Sequence, residues 1–202
     1  MYMRLKNNRI FVYLALQSVV ASLYYLGSLI VLFDAKTVPL TAVDYYVKPH
    51  FLAVWFYLSF FLLLFLAVYL SEKKNSILFI KLIIINSVIS LIVFVFYPTF
   101  IVDNDYYILQ KDNPISFKVL SFIIDTDVRS NCFPSLHIAN SLLATIFLFR
   151  IKNKLVTLIS SVWFCLIAWS VLSTGQHYFY DILGGILLST LSYYGFKYFE
   201  KG

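Results

Sequence analysis

Apolar residues fall along this chain in long blocks rather than in the stripes of an amphipathic helix. The blocks cover residues 10–33, 51–70, 77–97, 137–149, 155–173 and 178–198, and short polar segments separate most of them. A helix needs about 20 apolar residues to cross a hydrocarbon layer of about 30 Å, and most of the blocks have that length. They predict an all-α integral membrane protein with six transmembrane helices, a single membrane-embedded domain over residues 1–202. Block 10–33 is longer than the core of a signal peptide and no small-residue cleavage site follows it, so it is read as a retained first span. One gap differs from the others. Residues 98–136 form a long polar loop between helices three and four, with Asp103, Asp105, Asp112, Asp125 and Asp127 against Lys111, Lys118 and Arg129. A connection of that length is commonly functional. Inside it, residues 115–124 alternate loosely behind Asn113-Pro114 and predict a short interfacial helix.

Composition agrees with the blocks. The chain is 61% hydrophobic and 13% charged, more apolar surface than one soluble core of 202 residues can hide. A pI of about 9.2 raises nucleic acid as a partner, but the basic residues sit beside the apolar blocks, where membrane topology places them. With the N-terminus in the cytoplasm, Arg4, Lys6, Arg9, Lys73, Lys74, Lys81, Arg150, Lys152, Lys154, Lys197 and Lys201 face inward. Lys36, Lys48, Lys111, Lys118 and Arg129 face outward, with all the acids except Glu72 and Glu200. This bias predicts a multi-pass protein of a bacterial cytoplasmic membrane with the long loop extracytoplasmic and no nucleic-acid partner. Cys132 lies in that loop and Cys165 inside a block, so no disulfide between them is expected.

Two of the three histidines stand where a loop passes into an apolar block, in Phe133-Pro134-Ser135-Leu136-His137 and in His177-Tyr178-Phe179-Tyr180-Asp181. His50, after Lys48-Pro49, reads as an interfacial residue without a role. His177 and Asp181 share a helical face, so the carboxylate can accept from Nδ1–H and leave the Nε2 lone pair free for attack. If the helices that follow pack side by side, His137 faces His177 across a gap the size of a phosphate and can protonate the departing oxygen. Pro134-Ser135 at a helix entrance offers a hydroxyl and unpaired N–H groups to an anion. Gly184 and Gly185 would let the last span lie close against a neighbour.

These residues resemble the second and third motifs of the type 2 phosphatidic acid phosphatase superfamily. The Phe-Pro-Ser-Leu-His form is similar to its inositol phosphorylceramide synthase-like branch, where the usual phosphatase version has Pro-Ser-Gly-His. The resemblance implies a six-helix, metal-independent enzyme without cofactors that acts on a phosphorylated lipid through a phosphohistidine. It makes His177 the nucleophile, Asp181 its orienting partner, His137 the general acid and Ser135 a phosphate ligand. Two departures bear on substrate: the first motif's lysine and Arg-Pro are missing after Tyr97-Pro98-Thr99, and the third motif's arginine position holds Val171. Arg129, Lys111 and Lys118 are then the outer-loop bases left to offset phosphate charge, Arg129 first among them as a phosphate-binding residue. A phosphodiester carries about one charge less than a monoester, which leans the reading toward head-group transfer to an alcohol or lipid acceptor.

Three other readings stand beside transfer. One is a plain lipid phosphate monoester phosphatase. Another is a proton or metal transporter using His137, His177 and Asp181, which predicts polar residues continuing across the membrane. The third is a metal site of two histidines and one carboxylate. The aromatic residues read as lipid-facing surface and interfacial belts rather than a substrate box.

Overall fold

The computed structural model describes residues 2–30, 32–102, 110, 113–127 and 131–199. Among them the apolar blocks are helices, as they must be where no water is present to satisfy backbone groups. In chain order they are α1 (Tyr2–Leu29), α2 (Ala42–Tyr46), α3 (Phe51–Leu70), α4 (Lys73–Phe96), α5 (Pro114–Thr126), α6 (Leu136–Phe149), α7 (Lys154–Ser173) and α8 (Phe179–Phe199). Four stretches are long and apolar enough to cross a membrane: Asn8–Leu29, Phe51–Leu70, Lys73–Phe96 and Lys154–Ser173. The other two expected spans differ from these. Helix α6 has 14 residues, about 21 Å at 1.5 Å per residue, and α8 has 21 but carries Asp181 in its first turn.

Helix α6 can be short because it is the axis of the bundle. It packs against α3, α4, α7 and α8, so protein rather than lipid surrounds it. Ile138, Ala139, Ser141, Leu143, Ala144 and Phe147 are all fully buried. A helix buried on nearly every side, its polar Asn140, Ser141 and Thr145 included, belongs in such a place. Below its first two turns, Leu143, Ala144 and Phe147 join Leu63, Leu64, Phe79, Leu82, Ile83 and Ile167 in the largest apolar core.

Arginines tie the far end. The Arg9 guanidinium donates to the carbonyls of Tyr69 and Ser71, the open C-terminus of α3. Arg150 donates to Asn75 Oδ1 at 2.8 Å and to the Tyr193 hydroxyl at 3.0 Å, joining α6 to α4 and α8.

The opposite end carries features that hydropathy does not encode. β1 (Lys36–Thr37) and β2 (Thr99–Phe100) pair in parallel, Lys36 beside Thr99 and Thr37 beside Phe100. Thr99 also bridges to Asn131, and its hydroxyl accepts from Phe133 N–H at 2.8 Å. The segment entering α6 is therefore anchored to the ends of α1 and α4. The short helix expected inside the long loop is present as α5. Asn113 caps it by accepting from Ser116 N–H at 2.9 Å, Pro114 opens it, and Leu120 buries against Val54 of α3. Helix α1 ends at Leu29, four residues before the block does, because the chain leaves the bundle there to reach β1.

Candidate active site

Each histidine is held by the helix it introduces. Ser135 is the N-cap of α6, its Oγ accepting from Ile138 N–H at 3.4 Å, so His137 falls in the first turn. His177 precedes α8 on a turn made by Gly175, whose φ of 67° lies in the left-handed region that glycine tolerates best. That turn sends the N–H groups of Gln176 and His177 to the carbonyl of Val171, both at 3.1 Å.

Glycine brings the two helix starts together. A Cβ on Gly185 would lie 2.6 Å from the Ser135 carbonyl oxygen, and one on Gly184 would lie 2.4 Å from the Phe133 ring. The close approach lets Ser135 N–H donate to the Asp181 carbonyl at 3.1 Å. As a result the rings of His137 and His177 stand 6.3 Å apart, centre to centre.

The two imidazoles have different surroundings. His177 is 8% exposed, and its Nδ1 lies 3.5 Å from Asp181 Oδ2, an ion-pair distance longer than a good hydrogen bond. The same Oδ2 accepts from Tyr178 N–H at 2.8 Å, so Asp181 also caps α8, and its Oδ1 has no partner among the described residues. His137 instead stacks on Tyr57 at 4.2 Å and lies against Phe60 at 4.3 Å, and its Nε2 is buried without a partner among the described residues. Tyr57 and Phe60 are 7% and 5% exposed, so part of the aromatic surface expected to face lipid is a wall of the site.

Other sequence candidates fall into place or outside it. Ser135 is fully buried as the N-cap of α6, two residues before His137, and its hydroxyl accepts from Ile138 N–H. Arg129, Lys111, Asp103, Asp105 and Asp112 lie outside the described residues. Lys118 is exposed on α5. Val171 is fully buried, packed with Tyr57, Ile138 and Ile182, so apolar side chains occupy the space beside the Gly175 turn. His50 caps α3, its Nδ1 accepting from Leu52 N–H at 3.2 Å. Burial pushes the Cys132 thiol pKa up, and Asp181 and Asp127 push it further, so this thiol stays protonated and is no nucleophile. No disulfide joins Cys132 to Cys165.

Sequence reasoning missed several residues. Asp44, on α2, accepts from Phe179 N–H at 2.7 Å and so caps α8 from 135 residues away. Its other oxygen accepts from Thr41 N–H and from the Thr41 hydroxyl, both at 2.7 Å. One turn beneath His137, Asn140 accepts from Asn86 of α4 at 3.2 Å. Amides inside apolar blocks were the available signal for Asn86, Asn140 and Gln17.

His177 borders two cavities. One, about 290 Å³, opens between α1, α3 and α6 and is walled by Tyr24, Tyr57 and Phe60. The other, about 260 Å³, lies over the helix ends, with Asp44, Lys48 and Tyr178.

Two imidazoles at this separation, one beside a carboxylate, can grip a phosphate from opposite sides. No curated protein and no solved structure is detectably similar to the chain. A family model does match over residues 43–195, a span that holds both histidines, Asp181 and the glycines that bring them together. On that match the chain belongs to the PAP2 superfamily.

Proposed function

We propose that the chain is a lipid phosphotransferase of the inositol phosphorylceramide synthase-like branch, acting as one membrane-embedded unit through a phosphohistidine at His177. The superfamily makes it an enzyme of phosphatase type with a phosphorylated lipid-type substrate. The observation that carries the phosphohistidine reading is the pair of imidazoles, 6.3 Å apart between ring centres and bordering one cavity, with Asp181 beside only one of them. Two rings that face the same cavity can bring one nitrogen about 3 Å from phosphorus and the other about 2.8 Å from the leaving oxygen. The lean to transfer rests on the Phe133-Pro134-Ser135-Leu136-His137 form and the missing first-motif cations.

In the first step His177 Nε2 forms a bond to phosphorus, the bond from phosphorus to the lipid oxygen breaks, and His137 gives that oxygen a proton. Asp181 orients His177 and stabilises the positive charge that develops on it. The Nδ1 to Oδ2 contact is 3.5 Å in the resting site and shortens to a hydrogen bond when the phosphate enters. In the second step an acceptor hydroxyl gives its proton to His137 and attacks phosphorus, and the P–N bond breaks. Ser135 and Arg129 hold the nonbridging oxygens.

Transport is the weaker reading. The apolar core of Leu63, Phe79, Leu82 and Phe147 fills the bundle beneath the Asn86–Asn140 pair, which supports a site open at one end only.

Purified protein given a phosphodiester lipid should form acid-labile protein phosphate and turn over faster when an alcohol acceptor is added. Phosphatidic acid alone should be hydrolysed slowly. Fast, acceptor-independent release would leave a plain phosphatase. The proposal includes an active site on the extracytoplasmic side, so a single cysteine at Gln176 should react with an impermeant thiol reagent and one at Lys152 should not.

A further inference from the structure

The cavity between α1, α3 and α6 holds more unmet hydrogen-bonding capacity than its apolar walls require. Gln17 Nε2, Asn131 Oδ1, Asn140 Nδ2 and His137 Nε2 belong to residues that line it, and each is buried without a partner among the described residues. Buried polar groups are otherwise nearly always paired, so such a cluster at one cavity asks for a ligand or water.

The chemistry of the set narrows the ligand. Asn131 spends its Nδ2 on the Tyr24 carbonyl at 2.8 Å, which leaves its oxygen as an acceptor in want of a donor. The Asn86–Asn140 bond leaves an amide group over at Asn140, and Gln17 brings another from α1. A hydroxyl is the group that can both donate to such an acceptor and accept from such amides. Asp127 lines the cavity as well, and a carboxylate there favours an uncharged group over an anion on that side. The walls of Tyr24, Tyr57 and Phe60 suit an apolar body, and half-exposed Tyr25 and Phe61 form a rim open to the bilayer side. About 290 Å³ takes an alcohol and the first carbons of its chains, with the rest left in lipid.

We infer that this cavity is the binding site for the uncharged hydroxyl of a lipid alcohol, recognised by Gln17, Asn131 and Asn140 beside His137. The inference rests on the phosphotransferase reading in that this alcohol is the acceptor, and it adds where the alcohol sits and which residues select it. Gln17 lies on α1, outside the family match of residues 43–195, so selection of the alcohol is a property this chain builds from its own first helix.

The probe is a photoactivatable 1,2-diacylglycerol and its methyl ether, each incubated in nanodiscs with the full chain and no phosphate donor. The alcohol should label peptides of α1 and α6 about tenfold more than the ether at equal concentration, as one hydrogen-bonded hydroxyl allows. Gln17→Leu should reduce alcohol labelling to the ether level, and Asn140→Leu should do the same where it folds. Ser18→Leu, exposed on the same helix with its hydroxyl bonded to the Leu14 carbonyl, should leave the labelling unchanged. Equal labelling by alcohol and ether, or full labelling in Gln17→Leu, overturns the inference. If the selectivity is present but phosphate release proves fast and acceptor-independent, the transferase reading falls while the alcohol site stands, occupied by the leaving diacylglycerol.

Discussion

His177 stands between two cavities of nearly equal size and opposite character. Between α1, α3 and α6 the walls are aromatic, the polar groups are mainly amides with the carboxylate of Asp127 beside them, and His137 is pressed against Tyr57 and Phe60. Over the helix ends the other cavity is edged by charge, Asp44 and Lys48, and by the backbone turn at Gly175. A phosphorylated lipid has the same division, an anionic head and an apolar body. The bond to be broken lies where the two meet, and so does His177. In the proposed mechanism the difference also divides the labour of the histidines: the one with a carboxylate partner attacks phosphorus, and the one among apolar rings protonates the alcohol that departs toward lipid.

The largest expected effect tests that division directly. His177→Ala should abolish both turnover and acid-labile protein phosphate, whereas His137→Ala should lose much more against lipid substrates than against activated aryl phosphates, whose leaving groups need no acid. Normal turnover in His177→Ala, or equal losses on both substrate types in His137→Ala, would break the assignment.

Asp181→Asn comes next. An amide oxygen can still accept from Tyr178 N–H, so the cap on α8 survives and Tm should change little. The charge that fixes the His177 tautomer is gone, so kcat should fall by about 10²–10⁴-fold. A large fall in Tm with little change in kcat per folded molecule would make Asp181 a cap and nothing more.

Much of this arrangement was legible in the chain. The apolar blocks gave the helices, Asn113-Pro114 marked the start of α5, and Gly184-Gly185 announced the close approach of α8 to the segment entering α6. The reach of Asp44 to Phe179 was not legible, because a cap supplied across 135 residues leaves no local pattern. Nor was the aromatic wall. Helix α3 is apolar on every side, so hydropathy cannot say that Tyr57 and Phe60 face His137 while Phe61 and Leu62 face outward. Polar residues within apolar blocks were the more telling signal, and Gln17 passed unread because no motif surrounds it.

Gly185→Ala should have an intermediate effect. Its new methyl group would meet the Ser135 carbonyl at 2.6 Å and Ile138 Cβ at 2.9 Å, both on backbone or near it, so α8 must move away from α6. Overpacking of this kind costs about 1–3 kcal/mol. The two imidazoles also separate, so kcat should drop further than stability alone explains. Retained kcat with a lowered Tm would mean the helix spacing does not set the reacting geometry.

The smallest effect belongs to the charged cavity. Lys48 is exposed there beside His177, and the carboxylate of its neighbour Asp44 is occupied by Thr41 and Phe179. An exposed cation in such a place steers an anionic head group rather than clamping it, and salt screens it over about 10 Å at 0.1 M. Lys48→Ala should therefore raise KM for the phosphorylated donor by about two- to fourfold at low salt, with kcat and the KM of a neutral alcohol acceptor little changed. The rise should shrink as salt is added. Arg129 is the proposed clamp, so Arg129→Ala should behave otherwise, lowering kcat and weakening inhibition by vanadate, which mimics the transferring group. If Lys48→Ala weakens vanadate inhibition and Arg129→Ala does not, the two roles are reversed, and phosphate is gripped from the cavity over the helix ends.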